Sequence, residues 1–271
     1  MWFGIVVLAA AAGILTADRW SQPGWIQTAR HKYLTAVDRV IPVVGRSLTS
    51  AVIFLALWAS IIIVGLLMGL IAHRLQSVID EPTFHWWQSH HLHGSWSDVW
   101  WKLTNIGAPR VTQGLAAAGA VLFAVLYRDR RLWWAPSVVM VLGYAAEKYS
   151  QLIVKAVIDR GHPPTSHGTW PSGGMGRLID IYGLIIFFLI LRFRPTSPQA
   201  WAVGAGVLAV LASVQAYARL NNLEHWVTDV VGGAIYGTML LIAMIIGYFA
   251  LSRERASRPA EPETTVEPAT V

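Results

Sequence analysis

The amino-acid sequence predicts an all-α membrane protein, a bundle of six core transmembrane helices with one additional helix at the N-terminus. Three observations support this prediction. Hydrophobic residues make up 55% of the 271 residues and charged residues only 13%, with a mean hydropathy of +0.48, which is more apolar surface than one soluble core can bury. Most of the chain lies in apolar runs of nearly spanning length. Charged residues and prolines separate these runs from one another.

The six core helices are expected to form a single membrane domain over residues 48–251. Each apolar run is long enough to cross most of the hydrocarbon layer as a helix. The expected spans are 48–72, 112–127, 133–158, 175–193, 200–218 and 230–251. Segment 1–47 then holds the additional helix and a basic cytoplasmic stretch, and segment 252–271, rich in Pro, Glu and Thr, is expected to be a disordered cytoplasmic tail.

The additional helix corresponds to the apolar run from Trp2 to Ala17. As a helix this run would reach about 26 Å, slightly less than the thickness of the hydrocarbon core. A cleaved signal peptide is the alternative, because the run contains the small residues Ala9 to Ala12. No Lys or Arg precedes the run, as the start of a signal peptide requires, and we therefore expect a helix.

Lysine and arginine residues predict the orientation in the membrane, since cytoplasmic loops retain positive charge. One set of alternate loops carries 13 of the 21 basic residues and the opposite set carries six. The richer set is therefore cytoplasmic, and the segments 162–177 and 219–229 open on the extracytoplasmic side of the plasma membrane. The net charge of +6 lies in short loops, where it suits anionic membrane lipids and not nucleic acid. The chain has no cysteine, which excludes disulfides and thiol nucleophiles.

The first candidate cluster lies where the third core span ends. Lys155 stands near this end, and Arg160, His162 and His167 follow within one loop. Charged residues within a span are costly in lipid and often mark function. A concentration of cationic and protonatable groups suits the binding of a phosphate. The alternative is a snorkelling lysine that extends its ammonium group to the interface.

The second candidate cluster, Pro171-Ser172-Gly173-Gly174, directly precedes the fourth core span. Ser172 is expected to cap this helix, which leaves free N–H groups of the first turn available to an anion. The two glycines allow the anion to approach closely. Arg177 is within reach of the same anion, although its simplest partner is Asp180, three residues later.

The third candidate cluster joins the fifth span to the sixth. His225 and Asp229 are four residues apart, so on a helix the carboxylate can accept the Nδ1 proton and leave the other ring nitrogen as an aimed nucleophile. Arg219 supplies a planar fork for phosphate oxygens. The alternative is an interfacial histidine next to a helix-capping aspartate.

The order and spacing of the three clusters resemble those of the phosphatidic acid phosphatase/haloperoxidase superfamily, specifically its membrane-bound type 2 lipid phosphatases. The family's motifs are Lys and Arg-Pro separated by six residues, Pro-Ser-Gly-His, and Ser-Arg followed by His and Asp at fixed spacing. The corresponding segments are Lys155 with His162-Pro163, Pro171-Ser172-Gly173-Gly174, and Ala218-Arg219 with His225 and Asp229. The resemblance extends over about residues 48–251.

This resemblance implies a reaction without metal or cofactor, in which His225 attacks phosphorus to form a phosphohistidine and Asp229 orients the ring. The implied substrate is a lipid phosphate or a polyprenyl diphosphate. Positive charge and main-chain amides would hold the phosphoryl oxygens and stabilise the transition state. The predicted phosphate-binding set is Lys155, Arg160, His162, Ser172, Gly173, Gly174 and Arg219, with His167 and Arg177 as accessory residues.

Three positions depart from the family pattern. His162 replaces the arginine of the first motif, Gly174 the histidine of the second and Ala218 the serine of the third. Arg160, two residues before His162, is expected to recover the lost arginine contact. In the family the second-motif histidine protonates the leaving alkoxide, a contribution on the order of 10²–10⁴ in rate. Gly174 therefore weakens the expectation of fast turnover.

Three functions are compatible with the sequence. The first is a phosphatase whose substrate has a good leaving group, with His162 or His167 supplying the proton in one variant. The second is a phosphotransferase that passes the phosphoryl group to an acceptor other than water. The third is a non-catalytic protein that binds a lipid phosphate. The stretch 84–101, rich in Trp and His, is expected to be an aromatic belt at the membrane boundary and not a metal site.

Overall fold

The structure is a computed structural model that describes residues 45–92, 94–166 and 168–252. Within these ranges the chain forms eight α-helices and no strand. The helices are α1 (Arg46–Leu75), α2 (Glu81–His90), α3 (Ser95–Thr104), α4 (Pro109–Leu126), α5 (Ala135–Val157), α6 (Gly173–Phe193), α7 (Pro198–Asn221) and α8 (Val227–Ser252). A π-helical turn, Gln76–Asp80, joins α1 to α2, and a 3₁₀ turn, Asn105–Gly107, follows α3.

The predicted all-α membrane bundle is confirmed. Each of the six expected core spans is a helix, namely α1 and α4 to α8. Five stretches of the described chain are long and apolar enough to cross a membrane, and they contain α1, α4, α6, α7 and α8. The remaining core helix, α5, carries the charged residues Glu147, Lys148 and Lys155. The expected N-terminal helix and nearly all of the expected tail lie outside the described residues.

Helix α6 lies at the centre of the bundle, in contact with α4, α5, α7 and α8. Its side chains are buried on several faces, and Leu178, Ile181, Leu184 and Phe188 are among those that are fully or almost fully enclosed. Helix α1, in contrast, exposes apolar residues such as Leu67 along its outer face. A helix that is apolar on all sides is typical of a buried or a membrane-spanning position. Helix α6 fits the buried position, and helix α1 fits the membrane-spanning one.

Small residues allow α6 and α8 to touch backbone to backbone. A Cβ atom added at Gly237 would lie 2.5 Å from the carbonyl oxygen of Gly176, and one added at Gly233 would lie 2.4 Å from the carbonyl oxygen of Ser172. Close approach through small residues is the usual means by which helices associate in membranes. This contact holds the start of α6 beside the start of α8, where the N–H group of Ser172 donates to the carbonyl of Asp229 at 3.0 Å.

Helices α2 and α3 fold over the ends of α7 and α8. The ring of Phe84 packs edge-to-face on Trp226 with 5.5 Å between centroids. Trp87 and Trp100 both pack on Tyr217, at 5.3 and 4.3 Å. Aromatic pairs in these arrangements contribute beyond the area that they bury. The segment between α1 and α4, which contains α2 and α3, therefore covers the end of the bundle at which α6 and α8 begin.

Gly237→Ala is expected to destabilise the protein because the added methyl group would press on the backbone of Gly176. Overpacking of this kind costs about 1–3 kcal/mol, against a gain of up to about 1 kcal/mol when alanine replaces glycine in a helix. Thermal unfolding of the purified protein in detergent measures the difference. Gly206→Ala in α7 is the matched control, since nothing lies within 4 Å of its added Cβ. A melting temperature for Gly237→Ala at or above that control would contradict the close contact.

Candidate active site

The three clusters predicted from the sequence meet at the end of the bundle where α5 ends and α6 and α8 begin. Ser172 is hydrogen-bonded to Asp229 through the main chain. A Cβ atom at Gly174 would lie 2.3 Å from Nη2 of Arg219, so the second and third clusters are in direct contact. Lys155 on α5 is within electrostatic range of Arg219 and Asp229. Residues from all three clusters therefore surround one volume.

His225 and Asp229 form the pair that their spacing predicts. Nδ1 of His225 lies 3.4 Å from Oδ2 of Asp229, and both side chains are almost completely buried. The same carboxylate oxygen accepts the main-chain N–H of Trp226 at 3.3 Å. Engagement of Nδ1 leaves Nε2, which makes no hydrogen bond within the described chain. The geometry is that of an oriented histidine whose second nitrogen can act as a nucleophile.

Burial lowers the pKa of His225, and the hydrogen bond and charge of Asp229 act in the opposite direction. Arg219 and Lys155 lower the pKa further through their positive charge. A lowered pKa favours the neutral imidazole. His225 therefore stays unprotonated, and nucleophilic, to a lower pH than a solvent-exposed histidine would.

The turn that presents His225 is anchored on both sides. Leu223 has a φ of 56°, a left-handed conformation that a branched apolar residue adopts only when its surroundings enforce it. Its side chain packs with Phe84 and Trp226 in one buried cluster. The next residue, Glu224, donates its N–H to the carbonyl of Arg219 at 3.0 Å. Packing by α2 thus fixes the turn between α7 and α8.

Ser172 occupies the N-cap position of α6, as predicted, but its side chain makes no capping hydrogen bond. Its hydroxyl is completely buried and has no hydrogen-bond partner among the described residues. The first-turn amides of a helix lack intrahelical partners, so Gly173 and Gly174 offer two N–H groups beside this hydroxyl. A buried hydroxyl and free amides at a helix start form a suitable site for an anion.

Gly174 is in contact with the guanidinium group of Arg219. A Cβ atom at this position would lie 2.3 Å from Nη2 and 2.8 Å from Cζ of that side chain. On its other side the carbonyl of Gly174 packs on Gly107, whose own Cβ would lie 2.3 Å from the carbonyl oxygen. Any side chain at position 174 therefore requires Arg219 to move.

Arg219 is held by groups that the sequence did not identify. Its Nη1 donates to the carboxylate of Glu224, and its Nη2 donates to the carbonyl of Thr104 at 3.4 Å. Nε has no hydrogen-bond partner in the described ranges. Glu224 directly precedes His225 in the sequence, which is the one signal that could have indicated its presence at the site.

Lys155 and Arg177 approach the site from α5 and α6. Lys155 is half-buried, and its ammonium group makes no hydrogen bond to the described part of the chain. The predicted pair of Arg177 with Asp180 does not form. Instead its Nη1 lies 3.5 Å from Oε2 of Glu147 on α5, while both carboxylate oxygens of Asp180 are buried without a hydrogen-bond partner among described residues. Arg177 pairs with Glu147 from the neighbouring helix because the side chain of Asp180 is buried inside the bundle.

The contacts of Arg160 are not those expected from its predicted role in phosphate binding. Its side chain is completely buried, with Nη2 donating to Asp80 and Nη1 donating to the hydroxyl of Thr228 at 2.7 Å. Nη1 also lies 3.4 Å from Oδ1 of Asp229. Both terminal nitrogens are therefore engaged by protein groups, which places the guanidinium in a network behind Asp229.

The two histidines proposed as accessory or acidic groups lie in the loop before α6. His162 is exposed, and its Nδ1 is 2.9 Å from the carbonyl oxygen of Pro163. His167 lies outside the described residues.

Comparison with known proteins identifies a relative in sequence and a solved structure of similar fold. No family model matches the chain. Phosphatidylglycerophosphatase B of Bacillus subtilis (strain 168) is 27% identical over 160 residues, which cover 56% of this chain and 74% of that protein. A crystal structure described as the first transmembrane PAP2 type phosphatidylglycerolphosphate phosphatase from Bacillus subtilis superposes with a TM-score of 0.59 at 23% identity, covering 73% of this chain and 98% of the other. The predicted resemblance is confirmed.

Glu224→Gln is expected to tighten the binding of inorganic phosphate about three- to tenfold. The carboxylate competes with an anion for Arg219, and a partly buried pair of this kind is worth on the order of 1 kcal/mol. Calorimetric titration of the purified protein with phosphate measures the change.

Asp98→Asn provides the control, because it removes an equal charge from an exposed position on α3. Weaker phosphate binding by Glu224→Gln than by this control would mean that the carboxylate orients Arg219 for the anion instead of competing with it.

Proposed function

Because the chain resembles the type 2 phosphatidic acid phosphatases in sequence and in fold, we propose that it is an integral membrane lipid phosphatase. Its substrate is a lipid phosphate or a polyprenyl diphosphate, and the reaction passes through a phosphohistidine at His225. One observation carries the proposal: the His225–Asp229 pair lies at the start of α8, where the carbonyl of Asp229 accepts the N–H of Ser172 and the guanidinium of Arg219 lies against Gly174.

Binding of the phosphoryl group relies on charge and on main-chain donors. Lys155 and Arg219 supply two cations, and Arg177 contributes a third at the edge of the same volume. The hydroxyl of Ser172 and the amides of Gly173 and Gly174 donate hydrogen bonds to the equatorial oxygens. Such preorganised donors stabilise the charge of a phosphoryl-transfer transition state.

In the first chemical step Nε2 of His225 attacks the terminal phosphorus while the bond from that phosphorus to the ester oxygen, or to the bridging oxygen of a diphosphate, breaks. The electron pair of that bond leaves with this oxygen. The ester oxygen takes a proton and becomes an alcohol, whereas a diphosphate releases a lipid monophosphate. Asp229 holds the Nδ1 proton and stabilises the positive charge that develops on the ring. In the second step water attacks phosphorus, the N–P bond breaks and inorganic phosphate is released.

Gly174 offers no proton to the leaving group, which favours substrates that need little acid assistance. The leaving group of a polyprenyl diphosphate is a phosphate monoester, which is a far weaker base than an alkoxide. His162 and His167 in the preceding loop are the alternative proton donors. The proposed preference is therefore for a diphosphate over an alkyl monophosphate.

The proposed reaction takes place on the extracytoplasmic side of the plasma membrane. Its support is the distribution of Lys and Arg over the loops, of which 13 of 21 lie on the opposite side. In this orientation the C-terminal tail is cytoplasmic. The lipid substrate reaches the site from the outer leaflet, and no nucleic acid partner is involved.

Phosphate release from lipid substrates in detergent micelles tests the proposal. The panel contains phosphatidic acid, a phosphatidylglycerophosphate, a polyprenyl monophosphate and a polyprenyl diphosphate. We expect release by the wild type, no release above background by His225→Ala, and a decrease of about 10²–10⁴-fold in Asp229→Asn because the ring loses its orienting acceptor.

His85→Ala is the control, since it removes an exposed histidine from α2. Wild-type release no greater than that of His225→Ala would overturn the hydrolase and leave a non-catalytic lipid-phosphate binder. Transfer of phosphate to an added alcohol in preference to water would identify a phosphotransferase.

The rate is also expected to depend steeply on the leaving group. An aryl phosphate or a polyprenyl diphosphate should turn over about 10²–10⁴-fold faster than an alkyl monophosphate of similar affinity, because that is the range that general acid catalysis contributes. Values of kcat across a series of leaving groups with graded basicity measure this dependence. A flat series would show that another residue protonates the leaving oxygen.

A further inference from the structure

A buried network of charged and polar side chains lies on the far side of Asp229 from His225. Its members are Asp80, at the end of the π-helical turn after α1, Arg160 from the loop after α5, and Thr228 at the start of α8. Asp80, Arg160 and Asp229 have no solvent-exposed side-chain surface. A buried charge is tolerated only when it is paired and hydrogen-bonded, so the arrangement of these groups is tightly determined.

Thr228 joins the two sides of this network. Its hydroxyl accepts a hydrogen bond from Nη1 of Arg160 at 2.7 Å and donates one to Oδ2 of Asp80 at 2.7 Å. Its main-chain N–H donates to Oδ1 of Asp80 at 2.9 Å. Asp80 also accepts a hydrogen bond from Nη2 of Arg160. The guanidinium is therefore fixed in front of Asp229.

The two oxygens of Asp229 face different neighbours. Oδ1 lies 3.4 Å from Nη1 of Arg160, and Oδ2 lies 3.4 Å from Nδ1 of His225. A cation on the first oxygen reduces the negative potential that reaches the imidazole through the second. Asp80, on the opposite side of Arg160, reduces the effect of that cation in turn.

We propose that Asp80 and Arg160 are positioning residues for the nucleophile, holding Asp229 in place and setting the electric field at His225. The effect of these two residues on catalysis rests on the proposed function, whereas their effect on the titration of His225 does not. Neither residue contacts the phosphate: Arg160 acts through Asp229, and Asp80 acts through Arg160. The assignment replaces the role in phosphate binding that the sequence predicted for Arg160.

Other charged groups also act on His225 and are left unchanged by the test. These groups lie on the neighbouring elements. Their contribution to the electric field at His225 stays constant when a charge is removed from the network, so a change in the field comes from the network alone. In the described chain these groups are Asp229 from α8, Arg219 from α7 and Lys155 from α5. Glu224, in the turn before His225, is the carboxylate partner of Arg219.

The test is the titration of the His225 ring by NMR in protein that carries isotope-labelled histidine, with the signal assigned by its absence in His225→Gln. Arg160→Gln removes the cation, so the midpoint is expected to rise by about half to one pH unit. Asp80→Asn removes the anion behind the cation, and the midpoint is expected to fall. The double variant should return close to the wild-type value.

Opposite shifts distinguish a field effect from a merely structural role. Unchanged midpoints in both single variants, or shifts in the same direction, would overturn the proposal. Asp80→Asn leaves Arg160 paired with Asp229, so this variant carries the test alone if Arg160→Gln does not fold. Arg160→Lys keeps the cation and should keep the wild-type midpoint.

The kinetic measurement separates positioning from phosphate binding. Arg160→Gln is expected to lower kcat about tenfold or more and to leave KM within about twofold, because a residue that acts only in the transition state changes kcat. A large rise in KM with kcat unchanged would instead support a phosphate contact and overturn the assignment. The NMR titration requires no turnover, so absence of His225-dependent hydrolysis would overturn the proposed function without deciding the role of the network.

Discussion

The site depends on the backbone contact between α6 and α8. Glycines 176, 233 and 237 leave no side chain between the two helices, so their N-terminal ends lie side by side and the N–H of Ser172 reaches the carbonyl of Asp229. Each helix start carries a partial positive charge of about half an elementary charge. Both starts border the volume that His225 and Arg219 also line. The attraction for an anion is therefore built into the helix packing, and the cationic side chains add to it.

The three arginines near this volume all have carboxylate partners, as the membrane environment requires, yet the pairs differ in kind. Arg219 with Glu224 and Arg177 with Glu147 retain partial exposure on the arginine side, so a phosphate can compete for either guanidinium. Arg160 is completely enclosed with its partners. It cannot exchange a carboxylate for a substrate. Burial thus separates two arginines suited to binding from one suited to holding Asp229.

The sequence predicts the features that are encoded locally. Spans follow from apolar runs. The spacing of four predicted the contact between His225 and Asp229, but the helix expected to carry both residues begins only at Val227, so His225 reaches the carboxylate from the preceding turn. Asp80 could not be identified in this way, because its partners Arg160 and Thr228 are 80 and 148 residues away and no local pattern relates them. Residue type alone made Arg160 and Arg219 look equivalent. Only the fold shows which of them faces the volume at the start of α6.

Gly174 shows how such a local interpretation changes in three dimensions. From the sequence alone, glycine in place of the family's histidine is simply the loss of an acid. In the fold the guanidinium of Arg219 lies against this glycine while Nη1 binds Glu224, and Gly107 packs on the other side. A histidine here would have to displace Arg219 from that position and strain its pair with Glu224. The glycine thus leaves the space that the guanidinium of Arg219 occupies in its pair with Glu224. A side chain at position 174 that could supply a proton would therefore have to share this space with Arg219, so the loss of an acid and the placement of the guanidinium are two consequences of the same glycine.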